Sequence, residues 1–208
     1  MSAPKTLTDQ ESSQLIETLA NHTGSMQGLL KSSRNCLMGL LMLDAGLRVG
    51  EVTQLLIDDL YIAGFARHTL LVREDIAKKK SMRIIPLSRR IRNFIAIVND
   101  TYWSKLHDPT SGFAFYTNTN TEHLTTRQVE RIIGNASEYA FRRRINPHVL
   151  RHTFGTNLMR TCNSRVVMEL LGHKHLASTQ IYTHPNHQDL KNAIDSLETN
   201  PQEKSERR

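Results

Sequence analysis

Nowhere in the 208 residues do about 18 apolar residues run without interruption, so the sequence offers no membrane-spanning helix. The opening segment "MSAPKTLTDQESSQ" lacks the apolar stretch of a secretory signal. Cysteine is scarce too. Cys36 and Cys162, far apart and both in helix-like contexts, supply no disulfide framework and read as two reduced, buried thiols of a cytoplasmic protein. There is no H-E-x-x-H, no cysteine pair and no internal repeat. His148 and His152 have metal-ligand spacing, with His173 and His175 further on, but an arginine between the first two repels a cation, so no metal is expected. Carboxylates are missing from one place in particular: residues 141–151, "FRRRINPHVLR", hold four arginines and no acid, and "KKKSMR" at 78–83 is similar.

What is present suits a polyanion. The net charge is +7, and the clustering of cations favours nucleic acid over a uniformly solvated surface. A hydrophobic content of 38% is enough for the core of one large domain or two small ones. Periodicity and capping signals predict a mainly helical α+β chain with one small antiparallel sheet. Asp9 caps a first helix; "KSSRNCLMGLLMLDAG" is a buried helix closed by Gly46; "VGEVTQLLIDDL" restarts a short one. Strand-like pieces follow at 60–62, in "HTLLVR" and in "MRIIPL", with the lysine run at the turn of a hairpin between the last two. Helices resume at "SRRIRNFIAIVNDTYW" and at "LTTRQVERIIGNASEYAF", the latter capped by Thr125 or Thr126. Asn146 and Pro147 start "HVLRHTFGTNLMR", and Ser164 caps "RVVMELL", which stops at Gly172. A short helix holds Tyr182, "HQDLKNAIDSL" makes a last amphipathic one, and 198–208 is a disordered polar tail.

Within the helix that begins at Pro147, Leu150, Phe154 and Leu158 form the stripe expected to be buried, while His148, Arg151 and His152 share another face at the first turn and a half. Backbone N–H groups and the helix dipole there favour an anion, and an imidazole and a guanidinium three residues apart make a phosphate-sized receptor. Arg48, in "DAGLRVGEV", has Glu51 three residues on. The pair reads either as an ordinary surface ion pair or as an arginine held by a carboxylate and aimed at a phosphate. The lysines 78–80 are either a charged loop tip or a proton donor reaching into a groove.

These fragments combine. "AGLRVGEV", the hairpin lysine before "RIIPL", "HVLRHTFGTNL", "LLGH" and "STQIYTH" occur in the order found in tyrosine recombinases, the phage-integrase family, and the chain resembles their catalytic domain over roughly residues 8 to 195. The resemblance implies a site-specific DNA recombinase that cuts and rejoins strands through a 3′-phosphotyrosyl bond to Tyr182. It implies that Arg48 and Arg151 bind the non-bridging phosphate oxygens, that His148 accepts or relays the proton of the nucleophile, and that His173 donates a hydrogen bond to the phosphate. The general acid is a hairpin lysine, and counting back from "RIIP" lands on Lys78, with Lys79 and Lys80 as close rivals. Glu51 holds the architecture, and His152 is structural rather than catalytic. No cofactor is implied, because the arginines take the place of a metal.

The implied partners are double-stranded DNA, further copies of the chain in a synaptic tetramer joined through the C-terminal helix, and accessory DNA-bending proteins. Expected DNA contacts are Lys79, Lys80, Arg83, Arg127, Arg131, Arg142, Arg143, Arg144 and Lys174, which fix position more than they read bases. Two departures stand out. Ala77 precedes the lysines where the family commonly has glycine, and Arg48 comes too early for the N-terminal core-binding domain that typical members carry. Residues 1–197 are therefore expected to be a catalytic domain alone, either a short natural member like the fimbrial-switch invertases or an excised fragment; the "MSAPKTLTDQ" start favours the former. Two other functions fit the same fold: strand cleavage and religation without exchange, as in a type IB topoisomerase, and a DNA-binding regulator without chemistry.

Overall fold

The computed structural model describes residues 6–21, 25–77, 81–105, 112–117 and 121–172. Helix α1 (Asp9–Ala20) opens on a capping box in which Thr8, not Asp9, is the cap. Its hydroxyl accepts from the Glu11 N–H, and the Glu11 carboxylate accepts from the Thr8 N–H. Asp9 lies one residue inside the helix. Helix α2 (Met26–Leu43) starts earlier than its apolar run suggests, because Ser25 caps it. Leu37, Met38, Leu40, Leu41 and Met42 are all fully buried, so α2 is the central helix. It packs against α1 and against two later helices, α5 (Arg89–Thr101) and α7 (Pro147–Thr161). Each fully buried side chain of this size contributes about 1.5–3 kcal/mol of transfer free energy.

The expected single helix after Gly46 is two: α3 (Val49–Thr53) and α4 (Ile57–Leu60). Asp59 turns back to accept from the Leu56 N–H at 2.8 Å, which caps the second start and breaks the run. The expected single sheet is also two. Strands β1 (Tyr61–Ile62) and β2 (Phe65–Ala66) form a tight hairpin, and β3 (Thr69–Val72) pairs antiparallel with β4 (Arg83–Pro86) in the register Leu70–Ile85 and Val72–Arg83. Burial alternates along the second pair, which turns Leu70, Val72, Arg83 and Ile85 inward. Lysines 78–80 fall between β3 and β4, but they lie outside the described residues.

Helix α6 (Thr126–Phe141) is capped by Thr125 in a box with Gln128, and α7 by Asn146 with Pro147 in the first turn, as the sequence indicates. Helix α8 (Ser164–Leu171) is capped by Asn163 rather than Ser164, whose place is inside the helix, and it ends on Gly172 with a left-handed φ of 61°. Of the two free thiols, Cys36 is buried, whereas Cys162, the residue after α7, is only partly covered. No helix among the described residues is long and apolar enough to cross a membrane. The expected helix around Tyr182, the terminal helix and the tail lie outside the described residues.

Candidate functional site

The turn between α2 and α3 brings the first site residue into place. Gly46 adopts φ 64°, and a Cβ there would stand 2.3 Å from a ring carbon of Phe154, so only glycine lets α7 approach so closely. Two residues on, the Arg48 N–H donates to Glu51 Oε2 at 2.8 Å, and its Nη1 donates to Glu51 Oε1 at 2.8 Å. This is the i, i+3 pair anticipated from the sequence, but it is not a surface pair: the Glu51 side chain is 1% exposed and that of Arg48 is 22%.

Glu51 has further partners. Arg83 grips it with both guanidinium nitrogens, Nη1 to Oε1 at 2.9 Å and Nη2 to Oε2 at 2.7 Å, and Arg151 Nη1 lies 3.9 Å from Oε2. Three arginines from three distant segments thus surround one buried carboxylate. Burial by itself would raise this carboxyl. The hydrogen bonds and charge of Arg83, followed by those of Arg48, outweigh it and hold the pKa at about 2.

Arg151 is buried to 2% side-chain exposure. One terminal nitrogen donates to the Gly46 carbonyl, and the other donates to the Leu171 carbonyl at 2.6 Å. Arg151, His152 and Thr153 are all buried, so burial extends around the first turns of α7, contrary to the expectation that the Leu150–Phe154–Leu158 stripe alone would be covered. Of that stripe, Leu150 is in the main core, while Phe154 and Leu158 are half-buried against Val167 and Leu171 of α8.

His148 is exposed at the start of α7, its N–H donating to the Asn146 side chain at 3.0 Å. Its ring meets that of His152 edge-on at 4.3 Å. Burial, with the His148 and Arg151 charges adding to it, pushes His152 down to about 4. His152 is thus a buried imidazole held in its neutral form against the His148 ring.

Arg48, Glu51, His148 and Arg151 line one open cleft of about 580 Å³, together with the helix cap Asn146 and with Gln54, Ile76 and Glu130, which the sequence did not mark as site residues. A neighbouring depression is lined by Arg127, Arg131 and Arg144 and shares Glu130 and Asn146 with the first, so a cationic surface leads into the cleft. Arg144 donates to Asn135 at 2.9 Å, and Arg142 is exposed at the end of α6.

Two of the residues assigned to DNA sit differently. Arg143 is drawn into an ion pair with Glu11 at 2.5 Å and lies over the Phe141 ring, which ties α1 to the end of α6. Arg83 is corrected outright. It is an inward residue of β4 whose side chain is 1% exposed, with no route to a groove. The signal that could have found it is the strand alternation, which sets Arg83 on the same face as Ile85. Lys78, Lys79, Lys80, His173, Lys174 and Tyr182 lie outside the described residues.

Acid should loosen this centre. Both Glu51 and His152 have folded pKa values below their ordinary 4.5 and 6.5, so each contributes stability above the ordinary value that is lost as pH falls. The His152 contribution disappears from about pH 6.5 down to 4, and that of Glu51 from about 4.5 down to 2; Asp44, raised by burial, works in the opposite sense. Urea midpoints measured between pH 7.5 and 3 should fall continuously through that window. A midpoint that stays level down to pH 4 would contradict the assignment of His152.

Residues 5–189 match the model described as the phage integrase family. Among curated relatives, the tyrosine recombinase XerA of Pyrococcus furiosus is 32% identical over 197 residues, covering 92% of this chain and 61% of the relative. A tyrosine recombinase of Pseudothermotoga lettingae is 31% identical over 169 residues, 81% of this chain and 55% of that one. This chain therefore spans a little over half the length of these relatives. Among solved structures, a crystal structure of XerA recombinase superposes with a TM-score of 0.74 at 26% identity, covering 95% of this chain and 64% of the other. The XerH site-specific recombinase bound to palindromic difH substrate, a post-cleavage complex, gives 0.70 at 25% identity over 95% and 54%.

Proposed function

The chain belongs to the phage integrase family, and we propose that it is a site-specific DNA recombinase that cleaves and rejoins strands through a phosphotyrosyl intermediate. The observation that carries this reading is the convergence of Arg48 and Arg151, a hundred residues apart in sequence, on one open cleft through the shared carboxylate of Glu51. A carboxylate that holds guanidinium groups without exhausting their charge leaves a site suited to a phosphodiester, whose charge rises as a nucleophile adds. Planar guanidinium forks match the equatorial oxygens of that transition state better than an ammonium does.

In this reading the Tyr182 hydroxyl loses its proton and attacks the phosphorus. The new O–P bond forms as the bond to the 5′-oxygen breaks, and that oxygen takes a proton from Lys78 or a neighbouring lysine. A phenol ordinarily titrates near 10, so the attack needs the cationic surroundings that Arg48, Arg151 and His173 would supply, with His148 relaying the proton. The step exchanges one phosphoester for another and uses neither water nor ATP. Double-stranded DNA would enter along Arg127, Arg131 and Arg144, the cationic depression that adjoins the cleft. Residues 1–197 would act as the catalytic unit.

The test is covalent capture. The probe is a nicked duplex built on the sequence that this chain selects from a random duplex pool, so that the broken strand diffuses away after attack. The expected result is a denaturant-resistant adduct whose protein-linked phosphate maps to Tyr182 by mass spectrometry. No adduct from the native chain would leave a DNA-binding regulator as the better description. Recombination of two sites, rather than simple relaxation of a supercoiled plasmid, would separate a recombinase from a topoisomerase-like enzyme. Exchange would need several copies of the chain. Deleting residues 186–208, which carry Leu190, Ala193, Ile194 and Leu197 at helical spacing, should reduce two-site recombination much more than single-strand cleavage. Equal retention of both would remove the terminal segment as the coupling element.

A further inference from the structure

Arg83 has no part in the reading just given, yet with Arg151 it is one of the two cations most enclosed among the described ion pairs. Its side chain and that of Glu51 are each 1% exposed, and the two form a bidentate pair at 2.9 and 2.7 Å. Its third nitrogen, Nε, donates to the Leu170 carbonyl at 2.9 Å. Arg151 donates to the carbonyl of the next residue, Leu171. Two arginines that approach the same carboxylate therefore hold two successive carbonyls at the end of α8, where a helix favours cations. Gly172 closes this arrangement: a Cβ there would lie 3.0 Å from Arg83 Cδ and 3.4 Å from Ser81 Oγ.

A pair buried this deeply is poor value for stability alone, since hydrophobic residues of similar volume often serve as well. Its charge suggests another purpose. Glu51 is needed to hold Arg48, but a carboxylate in that position cancels one of the two charges meant for the phosphate. With Arg83 present, Arg48, Arg83 and Arg151 stand against the single charge of Glu51, and two positive charges remain. Without Arg83, one remains, and the carboxylate is left to draw in Arg151 from 3.9 Å.

We infer that Arg83 is a positioning and charge-balancing residue: it neutralises Glu51 from the interior side, so that Glu51 can fix Arg48 while Arg48 and Arg151 together present two net positive charges to the scissile phosphate. The inference rests on the strand-transfer reading of the cleft. It makes Arg83 act through Glu51 and the end of α8, never through the DNA.

The experiment compares the full native chain, Arg83→Met, and Arg83→Met combined with Glu51→Gln for rates of covalent adduct formation. One nicked duplex carries an ordinary scissile phosphate, and a second carries a methylphosphonate there, which lacks one anionic oxygen and so develops one charge fewer on attack. On ordinary DNA, Arg83→Met should be slower by about 100-fold, the usual effect of removing one electrostatic stabiliser. On the methylphosphonate its deficit relative to the native chain should shrink to about 10-fold or less, and on ordinary DNA the double variant should be faster than Arg83→Met alone. A structural defect would slow both substrates equally and would be deepened by a second substitution in the same buried cluster. Equal deficits on the two substrates with no recovery in the double variant would overturn the inference, as would an unimpaired Arg83→Met. Should Arg83→Met fail to fold, Arg83→Lys takes its place; it keeps the charge but not the fork, and should lie between the native chain and the expected methionine phenotype. A native chain inert on both substrates would instead overturn the strand-transfer reading itself, and this inference with it.

Discussion

Glu51→Ala is expected to lower the unfolding free energy by about 3–5 kcal/mol, the usual cost of removing one partner from a buried charge pair. The size of the loss comes from what stays behind. Arg83, at 1% side-chain exposure, and Arg151, at 2%, would be interior cations with their carboxylate gone, and neither can swing into water without dragging a strand or a helix with it. Against the 5–15 kcal/mol typical of a domain, such a loss is a large share of the total. Urea titration with linear extrapolation reads it directly. Arg48→Met should cost much less, because Arg48 is partly exposed and its removal leaves Glu51 still paired with Arg83. A Glu51→Ala chain that loses less than about 1 kcal/mol would show that the carboxylate is not the hub of this site.

Arg151→Lys is expected to reduce strand cleavage by about 100- to 1,000-fold while leaving DNA binding nearly unchanged. Lysine keeps the charge, so the long-range attraction to the phosphate backbone is preserved. What it loses is the planar fork. The guanidinium of Arg151 donates to Gly46 on one side and to Leu171 on the other, which fixes it between the α2–α3 turn and the end of α8 while it borders the cleft. An ammonium on a shorter, more mobile stem cannot hold both carbonyls and still address a phosphate oxygen from the same position. The measurement is single-turnover adduct formation beside an equilibrium binding titration on the same duplex. If binding and cleavage fell together, Arg151 would be a DNA anchor rather than a group that stabilises the reacting phosphate.

Much of this was open to reading from residue order. The helices of the C-terminal half follow their caps, because Thr125, Asn146 and Gly172 act on backbone groups within a turn of themselves. Where a cap differs from the expectation, at α1 and at α8, the difference is small: Thr8 in place of Asp9 and Asn163 in place of Ser164, each one residue apart among side chains able to make the same bond. The order and spacing of the arginine, histidine and glycine boxes also carried the family, which the match over residues 5–189 shows.

Position within an element and residue type, both local properties, were determined by the sequence itself: the helical class, the caps, the candidate Arg48, His148 and Arg151, and the clustering of positive charge. How far burial extends around α7, what Arg83 pairs with once its strand turns it inward, and which arginines share a carboxylate were decided only in the tertiary structure. Arg83 and Glu51 are 32 residues apart and Glu51 and Arg151 a hundred, and no local rule contains the direction in which such partners approach. An arginine on a strand looks like a surface charge until the fold closes a carboxylate and a helix end around it. The physical reason is that a charge is sorted inside or outside by its partner, and here that partner comes from elsewhere in the chain.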